Sequence, residues 1–173
     1  AMTNSGSGNQ GIAATEPVTV VADSLGVTPE RRLRALALSS MVAIYAHGYL
    51  PKLSAFCATV TASMGAAAGM AWLLAEKDPL QVIEKALATM SGSIVGMVCD
   101  GAANSCSMKV SASVHAAYEA VLLALNDVRF QGTDGLVANA AEECLKNVGL
   151  LAFRGMQQTD DEILKIMLQK NKA

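Results

Sequence analysis

Cys57, Cys99 and Cys106 are the residues whose type and spacing most directly offer chemistry. An ionised thiol is both a nucleophile and a soft metal ligand. Cys99 and Cys106 flank the stretch Asp100-Gly101-Ala102-Ala103-Asn104-Ser105. Such a C-x6-C pair across a turn can bring two sulfurs onto one centre, and Cys57, from a distant helix, would complete a site with three protein ligands. Zinc sites usually use tighter pairs and often histidine, and neither His47 nor His115 has that spacing with these cysteines. Three thiolates also suit a cubane cluster with one iron left open. The plain alternative for any single cysteine is a small buried hydrophobe. Cys144, in Ala141-Glu142-Glu143-Cys144-Leu145-Lys146, has the period of a core-facing helical residue and reads as structural.

A second candidate lies at the N-terminal end, where Gly6-Ser7-Gly8-Asn9-Gln10-Gly11 fits G-x-G-x-x-G. No strand can precede it, so it is no dinucleotide fingerprint. Its backbone N–H groups, with the Asn9 and Gln10 amides, could instead hold a carboxylate. Lys109 is either a charge partner for substrate or a solvated lysine, and His115 reads as a helix-face residue.

The elements that must position these residues are helical. Val18, Val21 and Leu25 mark one face of a first helix, with Pro17 in its first turn and Gly26 as its stop. Thr28 caps a second helix that runs to about Gly48. Leu53 to Leu74 carries no charge and reads as a long buried helix containing Cys57. Further helices are expected over Leu80 to about Met97, Met108 to Asn126, Ala138 to Val148 and Thr159 to Gln169. Alternation is confined to a few residues around Val128 to Phe130. The fold class is therefore all-α: a compact multi-helix domain around a central buried Ala/Gly-rich helix.

The charge-free stretch is long enough to cross a membrane, but it is Ala-rich and polar-dotted, with no aromatic belt or flanking positive bias. Gly65-Ala66-Ala67-Ala68-Gly69 and Gly92 to Gly96 match the GxxxG packing pattern, which suits close helix contact in any dry interior. A membrane partner is not expected. The 173 residues suit one domain; 52% are hydrophobic and only 16% charged, an apolar excess that suggests a surface covered by more protein. The net charge of −2 gives no footprint for nucleic acid. No secretory signal is visible, so the chain reads as cytoplasmic and its cysteines as thiols or metal ligands.

Several segments, in order, carry a resemblance: Gly6 to Gly11, Arg34-Ala35-Leu36-Ala37-Leu38-Ser39, Leu53-Ser54-Ala55-Phe56-Cys57 and Gly65 to Gly69. They continue with Gly96 to Ala102, Ser105-Cys106-Ser107-Met108-Lys109, Thr133-Asp134-Gly135 and Asn147-Val148-Gly149. Over about residues 5 to 168 the chain resembles the C-terminal half of the iron–sulfur-dependent L-serine dehydratase alpha-chain-like family, nearest its cysteine desulfidase branch. The resemblance implies a [4Fe–4S] cluster on Cys57, Cys99 and Cys106. It also implies α,β-elimination from cysteine or serine, giving pyruvate and ammonia with sulfide or water. Ser7, Gly8, Asn9, Gln10 and Gly11 would be substrate-side residues, within a Gly/Ser-rich loop over residues 1–16. Family members have a further N-terminal region that contributes to the substrate pocket and the base, so the chain is expected to be one helical iron–sulfur-binding domain, 1–173, of a larger enzyme. The N-terminal half of that enzyme and a second copy of the chain are the expected protein partners. The competing reading is a non-catalytic helical interaction or regulatory module whose cysteines only pack.

Overall fold

The computed structural model describes residues 2–170. Among them the chain forms α1 (Gly8–Ser24), α2 (Pro29–His47), α3 (Thr59–Leu74), α4 (Pro79–Ser93), α5 (Cys106–Leu125), α6 (Ala141–Leu150) and α7 (Gln157–Lys170), with a π-helical turn (Leu151–Gly155) before α7. There is no strand among the described residues; Asn4 with Ser7 and Phe56 with Val98 form isolated antiparallel bridges. Val128 to Phe130 is loop. The all-α architecture expected from periodicity is the one observed.

An uncharged helix gains most by being enclosed on every side, because it has no polar face to give to water. All of α3 is buried except Trp72 and Leu74. It packs against α1, α2, α4 and α5. Small residues set how closely: a Cβ on Gly65 would run into the Ser39 carbonyl oxygen and lie 2.7 Å from the Ala43 Cβ. One on Gly69 would lie 2.7 Å from Val18 Cγ2 and 3.0 Å from the Ala35 carbonyl oxygen. The first GxxxG match is thus a real helix crossing. The second is not, since Gly96 lies beyond the end of α4 with open space around it.

The pairings Ala35 with Gly69 and Ser39 with Gly65 show α2 running antiparallel to α3. Val18 lies beside Gly69 while Ala13 and Ala14 cluster with Ala62, so α1 runs parallel to α3, and Ser63 Oγ donates to Ser113 Oγ of α5 at 3.0 Å. Ser39 Oγ donates to the Ala14 carbonyl oxygen at 2.6 Å. These two inter-helix bonds fix register while leaving the Ser39 and Ser63 hydroxyls paired.

Several boundaries differ from expectation, and they matter for the site. The segment 1–16 is not a loop throughout: Ser7 caps α1, its side chain accepting from the Gln10 N–H at 3.5 Å, so Gly8 to Gly11 form the first helical turn and Pro17 lies inside the helix. Cys57 is not in the buried helix but in the loop two residues before it. Cys99 lies six residues past the end of α4, which stops at Ser93 and not near Met97. Cys106 begins α5.

Replacing Gly65 by Ala puts a methyl against backbone that cannot move aside. It should destabilise the protein by about 1–3 kcal/mol in denaturant unfolding, despite alanine's better helix propensity. Gly96→Ala, into open space, should stay within about 0.5 kcal/mol of the parent.

Candidate functional site

The helix directions gather one end of the bundle. Ala13 and Ala14 of α1, Ala43 of α2 and Ala62 of α3 form one small buried cluster, with Val110 and Val114 of α5 packed on it. The N-termini of α1, α3 and α5 therefore lie at the same end as the C-terminus of α2. None of these three helices has an acidic residue in its first turn. Three uncompensated positive helix ends favour anions, whether thiolate or carboxylate.

Two of the cysteines meet there through backbone. The Cys57 N–H donates to the Met97 carbonyl oxygen at 2.8 Å, and the Cys99 N–H donates to the Ala55 carbonyl oxygen at 2.7 Å. These bonds bracket the Phe56–Val98 bridge. Because side chains alternate across extended backbone, Cys57 and Cys99 share the face opposite Phe56 and Val98. Phe56 and Cys57 are both buried at 5% exposure, and Cys57 Sγ lies 3.1 Å from Thr59 Oγ1. Cys99 and Cys106 are partly exposed, and Cys106 Sγ lies 3.6 Å from the Gly101 carbonyl oxygen. Left-handed φ at Gly101 (+91°) helps turn the chain between them.

Lys109 stands one turn into α5 after Cys106 and pairs with Asp100, the residue after Cys99. This ion pair closes the segment carrying the two cysteines. The bonded Asp100 carboxylate holds the Lys109 ammonium above its ordinary value against the opposing effect of burial, and negative charge on Cys57 and Cys99 adds to the rise. Lys109 in turn holds the Asp100 carboxyl below the usual carboxylate range. The Lys109 side chain keeps only 18% of its exposure, so it is held in this pair and not free in solvent.

All four cysteines are free thiols. Among the described residues no three His, Cys, Asp or Glu side chains gather as they would around one metal ion. A cubane has a looser demand, because each thiolate binds its own iron. Cys57 and Cys99 on one face of a bridge and Cys106 across a short turn closed by the Lys109–Asp100 pair form a donor set that could hold such a cluster. Cys144 is elsewhere. It is fully buried, its sulfur accepting from the Ala138 N–H at 3.2 Å, as expected of a packing residue.

At the start of α1, Asn4 and Ser7 exchange backbone hydrogen bonds, both 3.2 Å, and the Asn4 amide reaches the Ser40 carbonyl oxygen of α2 at 3.4 Å. Gln10 Nε2 donates to the Ser5 carbonyl oxygen at 3.4 Å. Gln10 is therefore buried and engaged, whereas Ser7, Gly8 and Asn9 keep some surface. Gly11 is required by backbone contact, since a Cβ there would run into the Met2 carbonyl oxygen. The Thr133-Asp134-Gly135 turn lies apart from the cysteine face, beside Phe56 on the reverse side of the bridge. Asp134 Oδ2 there accepts from the Gln131 N–H at 2.7 Å, a turn-forming contact.

One residue passed over by spacing is His47, at the end of α2. Its Nδ1 lies 3.3 Å from Thr61 Oγ1 in the first turn of α3. Burial pushes its imidazole below its ordinary value. A separation of fourteen residues across a helical hairpin is not a ligand spacing, so no motif could have singled it out.

In the folded protein, thiol reagents should modify Cys99 and Cys106 first, with Cys57 and Cys144 reacting only on unfolding. Peptide mapping after a short alkylation checks the order; early labelling of Cys57 would contradict its burial.

The sequence profile of the serine dehydratase alpha chain family matches residues 1–165. UPF0597 protein PPA0217 of Cutibacterium acnes is 57% identical over 170 residues, covering 98% of this chain and 48% of that protein. UPF0597 protein YhaM of Salmonella heidelberg and of Salmonella typhimurium are each 55% identical over 170 residues, covering 98% of the chain and 38% of theirs. The chain thus spans less than half the length of these curated relatives. No solved structure matches it. Among the described residues no helix is long and apolar enough to cross a membrane. By the extent of the profile match, the chain belongs to the serine dehydratase alpha chain family.

Proposed function

We propose that the chain is the cluster-bearing domain of an amino-acid lyase that eliminates HX across Cα and Cβ of L-cysteine or L-serine, leaving pyruvate and ammonia after hydrolysis of the enamine. The observation that carries this reading is the shared face of Cys57 and Cys99, with Cys106 across a turn that the Lys109–Asp100 pair closes. Cys57, Cys99 and Cys106 would hold a [4Fe–4S] cluster, which supplies a Lewis-acidic iron for the substrate.

The chain's own residues do the rest. The uncapped starts of α3 and α5 and the Lys109 ammonium favour anionic sulfur. Ser7, Gly8 and Asn9, in or beside the first turn of α1, offer backbone and side-chain donors to the substrate carboxylate. Gln10 and Gly11 hold that turn in place through Ser5 and Met2.

The elimination belongs to the whole protein, because the relatives carry as much chain again or more. The remaining part of such a protein is the first partner we assign, a second copy the next. Exposed Met41, Leu53 and Met108 are apolar surface that either would cover. The reading is of an enzyme of the cell interior, its cluster shielded from oxygen.

Anaerobic reconstitution with iron and sulfide should give broad visible absorption. Cys57→Ala, Cys99→Ala and Cys106→Ala should each abolish it, while Cys144→Ala leaves it unchanged. Uptake indifferent to the first three would remove the lyase reading and leave a helical packing module. The chain by itself should form little or no pyruvate from cysteine or serine, as read by a coupled dehydrogenase assay.

A further inference from the structure

At the end of α2, His47 has one ring nitrogen in contact with Thr61 and the other open. Thr61 Oγ1 donates to the Ala58 carbonyl oxygen at 2.9 Å. With its one proton placed there, this oxygen accepts from His47, and Nδ1, 3.3 Å away, carries the ring proton. The lone pair is left on Nε2, on the far side of the ring, and among the described residues no group bonds to it.

His47 also forms one wall of an open recess of about 710 Å³, with Ser5, Leu50, Lys52 and Phe153 among the other lining residues. Ser5 belongs to the turn that leads into α1, and Ala58, which anchors Thr61, directly follows Cys57. The histidine thus joins the α1 turn to the cysteine loop. Burial disfavours the imidazolium, so the ring stands neutral at pH 7 and ready to accept a proton.

We infer that His47 Nε2 is the base that removes the α-proton of the substrate, with Lys52 across the recess receiving the substrate carboxylate. This rests on the lyase reading and adds to it a proton acceptor inside this chain rather than in the remaining part of the protein. In the step, the Cα–H bond breaks, its proton passes to Nε2 and its electron pair forms the Cα=Cβ bond. The Cβ–X bond breaks with X leaving on its own pair as hydrosulfide or hydroxide. That anion then takes the proton from the imidazolium, so charge and protons balance and the histidine is restored. Thr61 acts as a positioning residue, because it sets the tautomer without touching substrate.

The test uses protein of the relatives' full length, anaerobically loaded with its cluster. His47→Asn can keep a donor toward Thr61 while offering no base. It should lower kcat by at least about 10²-fold, with KM and the visible cluster spectrum little changed and exchange of the substrate α-hydrogen with D2O lost. Thr61→Val should lower kcat less, about tenfold. Lys52→Met should raise KM, and Lys52→Arg should restore it. A His47→Asn protein that keeps its cluster and eliminates within tenfold of the parent overturns the inference and leaves the lyase reading standing. A parent that eliminates nothing from cysteine or serine, though loaded with cluster, overturns both. Should His47→Asn fail to fold, the parent chain decides by 15N shifts of its imidazole: protonated Nδ1 with bare Nε2 supports the assignment, and protonated Nε2 overturns it.

Discussion

Backbone-to-backbone contact between α2 and α3 is the constraint from which the candidate site derives its geometry. At Gly65 the two helices approach until no Cβ fits between them, and at Gly69 the same holds for α1 and α2 together. Such contact leaves no slack for sliding. A shift by one helical turn, about 5.4 Å, would set Ser39 and Ala43 against Thr61 in one direction, or Ala35 against Leu73 in the other, in place of glycine. The register so fixed places the last residue of α2, His47, across from the first turn of α3, where Thr61 awaits it. Without that register neither the tautomer nor the recess would be defined.

Around this packing the site collects positive potential. Three helix N-termini and Lys109 stand together, and among the described residues the carboxylate paired into the group is Asp100. This arrangement is ill suited to a bare cation and well suited to bound anions, which is what thiolates and amino-acid carboxylates are. The polar groups below it are neutral hydroxyls with partners, Ser39 on Ala14 and Ser63 on Ser113. They lock the helices without adding a buried charge, which would have had to be neutralised.

Much of this was legible in the sequence. The absence of charge in Leu53 to Leu74 announced a helix buried on all sides, and the alanines and glycines announced how closely its neighbours would lie. The cysteine pattern separated Cys144 from the other three because only Cys144 sits in an amphipathic period. What the sequence hid was decided between segments. An apolar run gives no sign of where its helix starts, so Cys57 was expected inside α3; two backbone bonds, from Cys57 N–H to Met97 and from Cys99 N–H to Ala55, each joining residues about forty apart, hold it outside. Gly8 and Gly11 are poor helix formers, so the start of α1 was hidden until the Ser7 cap and the Met2 contact came into view. His47 and Thr61 meet only through the antiparallel pairing of their helices.

The Phe56–Val98 bridge has a consequence for how such a centre is filled. It fastens the two ends of the α3–α4 hairpin, so the entropy of bringing Cys57 and Cys99 together is met by helix packing. A cofactor captured there would need to order only the short Asp100–Ser105 segment. That differs from small metal domains, whose folding free energy is the binding free energy itself. A protein built this way can lose its prosthetic group to oxidation and still persist as an intact scaffold, open to repair in place rather than committed to degradation.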